Sequence, residues 1–150
     1  MQTEHVFDYQ AMLKPPVVIG EGPYGHRMFY EVRSGTLRGP RLRGEVLSGG
    51  GDWALIGSDG FTRLDVRGQC RTDDGAVLYL RYRGLLEQTE AVRRAAASGG
   101  ETGFEDQYFR ISLEVETGDE RYRWLTRSSL IGRGRLCGGP GVEYQIFRVI

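Results

Sequence analysis

From residue 62 to residue 71 the chain alternates, with Leu64 and Val66 on one face and Asp65, Arg67 and Gln69 on the other. That two-residue period is the mark of a half-buried strand. The pattern recurs where Leu78, Leu80 and Tyr82 oppose Tyr79, Arg81 and Arg83, and again where Ile111, Leu113 and Val115 oppose Ser112, Glu114 and Glu116. On any one strand an ionic row is ordinarily the solvated face. Three such rows in a sheet that closes on itself open a second reading, in which some of them line an interior cavity.

Short runs rich in valine, tyrosine, phenylalanine and threonine, broken by glycine, extend this pattern along the chain and predict strands at 5–12, 28–32, 36–38, 41–47, 53–56, 61–71, 76–83, 108–116, 121–131 and 142–149. Ser58-Asp59-Gly60 and Asp73-Asp74-Gly75 carry the residues that tight hairpins need, and Thr117-Gly118-Asp119 does so less tightly. Consecutive strands are therefore expected to pair antiparallel. One stretch, 87–97, is built of helix formers, with Glu90 placed to meet Arg93 or Arg94 across a turn, and it ends in Ser98-Gly99-Gly100. It reads as a short helix in an insertion, either a lid over one end of the sheet or a plain connection. The expected fold is all-β, one domain over 1–150, an antiparallel barrel of about nine or ten strands with one short helix.

Composition narrows the partners. The 150 residues suffice to bury a core without disulfides or structural metal. Twenty acidic residues balance twenty basic ones, which leaves no footprint for a nucleic acid. Cys70 and Cys137 lack the spacing of a disulfide framework or a zinc site and read as reduced thiols. The N-terminal run has neither a basic nor an apolar signal region, and no apolar run approaches the ~20 residues of a membrane span. A soluble cytoplasmic protein, a possible homo-oligomer with no membrane or nucleic-acid partner, is the expectation.

Several motifs fail on context. Gly20-Glu21-Gly22-Pro23-Tyr24-Gly25 has the spacing of a dinucleotide fingerprint, but the fingerprint needs a following helix to meet the pyrophosphate, and His26 to Val32 reads as a strand. The glycine run at 132–141 lacks the lysine and hydroxyl residue of a phosphate loop and reads as a loop. His5 and His26 are isolated, so no metal site is assigned, and neither a serine elbow nor a cysteine beside a base is present. No cofactor is called for.

The run from Gly39 to Leu47, the Gly49-Gly50-Gly51-Asp52-Trp53 turn, Leu64-Asp65-Val66-Arg67, Thr72-Asp73-Asp74-Gly75-Ala76, Tyr108-Phe109-Arg110 with Glu116, and Tyr122-Arg123-Trp124-Leu125-Thr126-Arg127 together resemble the family called domain of unknown function 3237 (DUF3237, UPF0311-like). The resemblance runs from Gly22 to Tyr144 and implies a small β-barrel of a kind found in bacteria and fungi. The sequence departs from the family pattern at Thr126, where asparagine is expected, so no role is carried to that side chain.

A small barrel can hold a molecule, or hold one while it reacts, and the second use needs a group that moves a proton. Asp52 is the candidate base: it follows three glycines at the expected barrel rim, and Trp53 beside it can desolvate it and raise its pKa. The alternative is that Asp52 only accepts backbone hydrogen bonds in the glycine turn. Arg67 and Tyr79 are the candidate stabilisers of a developing oxyanion. Asp65, Tyr82, Glu116 and Arg127 are candidate substrate contacts, Tyr122 joins Tyr79 as a candidate donor, and Trp53, Trp124 and Phe109 are candidate aromatic walls. The expected function is a cofactor-independent cyclase, isomerase or lyase acting on a polyketide-like or aromatic carbonyl compound. The alternatives are a carrier for a hydrophobic metabolite and a homo-oligomeric barrel whose polar rows are interface.

Overall fold

In the computed structural model, which describes residues 1–150, the alternating strands become an inner and an outer wall. The strands are β1 (Thr3–Leu13), β2 (Val17–Gly22), β3 (Gly25–Arg38), β4 (Arg43–Val46), β5 (Gly51–Ile56), β6 (Phe61–Thr72), β7 (Val77–Glu87), β8 (Phe109–Glu116), β9 (Leu130–Leu136) and β10 (Gly141–Val149). Two short helices, α1 (Glu90–Ser98) and α2 (Arg123–Thr126), interrupt them. The sheet runs β1-β10-β9-β8-β7-β6, passes through β4 and β5 in turn to β3, and closes where β3 pairs with β1, every pairing antiparallel. The result is an eight-position barrel in which β4 and β5 share one place and β2 lies outside the ring, paired only with β3.

Leu64, Val66, Leu78, Leu80, Ile111 and Leu113 all point inward and are buried. The three polar rows face outward, and none lines the interior, because unpaired charges inside an apolar barrel would pay a desolvation cost with nothing to offset it. The hairpins at Gly60 and Gly75 have the positive φ expected of them, 84° and 94°. Gly118 does not. There Thr117 Oγ1 accepts from the Asp119 N–H, and that side-chain bond makes the turn.

Four elements differ from the sequence expectation. Residues 28–32 and 36–38 belong to one long strand, β3, which pairs β5 along its first half and β4 along its second. Val17–Gly22 forms β2, and the turn after it stands as read: Gly25 has φ 138°, and a Cβ there would lie 2.8 Å from the Ile56 carbonyl oxygen. Residues 121–131 are mostly not strand. Asp119 Oδ1 accepts from the Arg121 N–H at 2.9 Å, and Tyr122 and Leu125, three apart, bury on one helical face. The glycine run at 132–141 is largely strand, since Gly132 and Gly134 sit inward in β9. A Cβ on Gly134 would be 2.8 Å from both the Phe109 and Tyr144 rings, so glycine at this position is what lets those aromatics fill the core. No helix is long and apolar enough to cross a membrane.

Candidate functional site

One end of the barrel is hollow, with a cavity of about 600 Å³. Its barrel side is formed by Met28, Ala54, Leu64, Leu86 and Phe109, and α1 covers it with Val92 and Ala95. The insertion between β7 and β8 folds over this opening for local reasons. Thr89 caps the helix, its Oγ1 accepting from the Val92 N–H at 3.2 Å, and Gly99 ends it in the left-handed conformation. Glu90 pairs with Arg94 on the solvent side at 2.6 Å. Val92 and Ala95 are left facing inward, so α1 occupies the lid position rather than a remote connection.

Polar groups in the cavity are few. Gln88 Nε2 donates to Thr62 Oγ1 at 2.6 Å, which engages these two side chains with each other. The remaining pair is Tyr30 and Asp52. They are direct partners in the β3–β5 ladder, and both side chains enter the cavity. Asp52 Oδ1 accepts from the Asp65 N–H at 3.0 Å, at the place where the β5–β6 ladder lapses between Asp52–Val66 and Leu55–Arg63. The carboxyl thus replaces a missing backbone acceptor with one oxygen and keeps Oδ2 for the cavity. The only hydrogen bond of the Tyr30 hydroxyl is a long one to Met28 Sδ, 4.0 Å.

Burial pushes the Asp52 carboxyl up to about 6, against the opposing pull of the Asp65 N–H and the Arg27 charge. Burial and then the Asp52 charge push Tyr30 upward as well, which keeps it a hydrogen-bond donor. Beneath them Tyr9, Tyr82 and Tyr144 pack edge to face and tilted, with ring centroids 5.4 to 6.0 Å apart, and burial raises all three phenols well above their ordinary value. The Tyr9 and Tyr144 hydroxyls are buried without a hydrogen-bond partner.

Of the residues singled out in the sequence, Asp52 and Phe109 line the cavity and Tyr82 lies in the aromatic layer. The others do not converge on it. Arg67 and Tyr79 project from the outer faces of β6 and β7, opposite the inward residues of those strands. Asp65 faces Arg83 across the outer surface at 3.9 Å, and Glu116 flanks Tyr79 there. Trp53 is 46% exposed and stacks on Phe29 outside the barrel, so the cavity, not Trp53, desolvates Asp52. Tyr122 is buried against Asp74, donating to both carboxylate oxygens at 2.8 and 2.9 Å, and Trp124 lies under Arg41 at 4.0 Å. Arg127 is exposed next to them in sequence. Of the glycines before Asp52, Gly50 and Gly51 serve close packing, a Cβ on Gly51 striking the Phe29 ring at 2.3 Å, while Gly49 makes the turn with φ 98°.

Tyr30 was missed by sequence reasoning. Residues 28–32 show no clean alternation, so only the ladder register places Tyr30 beside Asp52. Neither thiol joins the site. Cys70 is buried in the core and its thiol is pushed up to about 12 by that burial, while Cys137 receives a contact from Gln10 Nε2 at 3.6 Å. No group of three or more histidine, cysteine, aspartate or glutamate side chains is placed to hold a metal ion.

The family model described as protein of unknown function, DUF3237, matches residues 1–149. The chain belongs to the DUF3237 family. A UPF0311 protein of Clostridium acetobutylicum is 31% identical over 126 residues, covering 83% of this chain and 80% of that one. The crystal structure of a conserved protein of unknown function from Rhodopseudomonas palustris superposes with a TM-score of 0.89 at 26% identity, over 99% of this chain and 97% of that one. The fold is also shared, at 18% identity and a TM-score of 0.69, by an enzyme from Penicillium herquei, over 97% and 93% of the two chains.

Proposed function

We propose that this DUF3237 barrel binds an apolar carbonyl compound of polyketide-like or aromatic type and moves a proton on it without a cofactor, as a cyclase, isomerase or lyase. The observation that carries this reading is the pairing of Asp52 and Tyr30: an acceptor and a donor with unspent hydrogen-bonding capacity, side by side in an otherwise apolar cavity. Asp52, as carboxylate, takes a proton from the carbon next to the carbonyl. The C–H electron pair forms a carbon–carbon double bond and the carbonyl π pair moves to the oxygen, where the Tyr30 hydroxyl donates a hydrogen bond to the developing enolate. Return of the proton to a different atom gives isomerisation, expulsion of a leaving group on the next carbon gives a lyase, and attack of the enolate on a second carbonyl of the same molecule gives a ring. A pKa of about 6 leaves Asp52 ionised at neutral pH and close enough to it to return the proton. The Penicillium herquei enzyme supports this reading only as far as the fold goes: this barrel can house catalysis.

A carrier for a hydrophobic metabolite is the second reading, favoured by the apolar wall itself. Crystals soaked with aromatic and polyketide-like carbonyl compounds test both. Density with an oxygen within hydrogen-bond reach of Asp52 and Tyr30 is the expected result. Density confined to the apolar end, with neither residue contacted, contradicts the proton-transfer reading and leaves the carrier.

A further inference from the structure

We infer that the cavity takes an uncharged ligand that presents both a hydroxyl and a carbonyl, and that it excludes anions. This rests on the cavity being the ligand site, as proposed above, and deepens that reading from the charges around it.

No lysine, arginine or histidine lines the cavity, and Asp52 is the only carboxyl in it. The sequence pointed to Arg67 as a stabiliser of a developing oxyanion, but Arg67 is on the outer wall. Arg27, the nearest cation to act on Asp52, is turned outward, with Nη1 donating to the Trp53 carbonyl at 3.0 Å. The helix over the cavity offers no anion site either, because Thr89 already takes the Val92 N–H and Glu90 stands in the first turn. An anionic ligand would therefore leave water for an apolar space with no counter-ion and an existing carboxylate beside it, and both terms oppose binding.

The two open polar groups define the ligand's head. Asp52 Oδ2 wants a donor and the Tyr30 hydroxyl an acceptor, and as direct partners across the ladder the two side chains enter the same cavity. A ligand that carries both a hydroxyl and a carbonyl satisfies both at once, whereas a lone carbonyl satisfies only Tyr30. Apart from the Gln88–Thr62 pair, the rest of the ligand meets a mostly apolar wall, including the alanines at 95–97 of α1.

Three diphenyl compounds of similar size separate these features: benzoin (hydroxyl and carbonyl, neutral), deoxybenzoin (carbonyl only) and benzilate (hydroxyl and carboxylate). Calorimetric titration of the wild-type protein at pH 7.5 is expected to give benzoin binding about tenfold tighter than deoxybenzoin and at least about a hundredfold tighter than benzilate. In Asp52→Asn the penalty on benzilate should shrink about tenfold or more. Tyr30→Phe, which removes one hydroxyl and keeps the ring, should weaken benzoin and deoxybenzoin together by about tenfold. Benzilate binding within about threefold of benzoin overturns anion exclusion. Deoxybenzoin equal to benzoin overturns the hydroxyl requirement while leaving the cavity as the ligand site. If neither neutral compound binds, the cavity reading falls and this inference with it.

Discussion

Tyr30 on β3 and Asp52 on β5 stand directly opposite each other in the ladder and send their side chains into the same cavity. The Asp52 charge makes the Tyr30 phenol harder to ionise, so when Asp52 is a carboxylate its neighbour remains a donor. One acceptor and one donor are thus maintained together at neutral pH, the combination that proton transfer beside a carbonyl needs.

Asp52 costs the fold stability when it ionises. Its folded pKa of about 6 lies above the ordinary carboxyl value of 3.8, so between those values the folded chain holds a proton that the unfolded chain has lost. Stability therefore falls as pH rises through this window, by on the order of 2 to 3 kcal/mol, and the loss is complete above the folded pKa. Asp52→Asn removes that penalty but also weakens the bond to the Asp65 N–H. Urea unfolding should show wild type losing stability relative to Asp52→Asn between pH 4 and pH 8, and parallel profiles for the two proteins would contradict the buried-carboxyl assignment.

Tyr30→Phe should leave the barrel folded, since the hydroxyl makes only the long contact to Met28, and should lower turnover by roughly 10² to 10³. Thermal unfolding and steady-state rates on the same preparation check the two halves. A rate loss accompanied by an equal loss of folded protein would assign Tyr30 a structural role.

Ala95 faces the cavity from α1, and a larger side chain there grows into empty space. Ala95→Phe should reduce ligand affinity by at least about tenfold while leaving the melting temperature unchanged or higher, because added apolar surface is buried where room exists. Calorimetry and thermal unfolding on the variant report both quantities.

Gly134→Ala should destabilise the barrel by about 1 to 3 kcal/mol, because the new methyl group meets Phe109 and Tyr144 in a filled core. Gly118→Ala is the control, since a Cβ there meets nothing. Chemical denaturation midpoints of the two variants make the comparison.

The alternating strands β6, β7 and β8 were legible because one face of each is mostly apolar, and the turns at Gly60 and Gly75 because their residue types fix the backbone. Which face turns inward was ambiguous from any single strand, and it is the packed apolar interior that decides it. β9 was hidden because its two central inward positions, Gly132 and Gly134, carry no hydrophobic signal although they lie in the core. Asp52 could be found from its setting after three glycines. Tyr30 could not, because its partnership with Asp52 spans more than twenty residues and exists only in the register of two strands that the sequence does not align.

Proton exchange at carbon tests the central claim most directly. With benzoin in deuterated buffer, the wild-type protein should speed incorporation of deuterium at the carbon that bears the hydroxyl, as read by proton NMR. Asp52→Asn should still bind benzoin yet fall to the uncatalysed rate, with Tyr30→Phe in between. Equal incorporation by wild type and Asp52→Asn, with binding intact in both, would contradict Asp52 as the proton-transferring group.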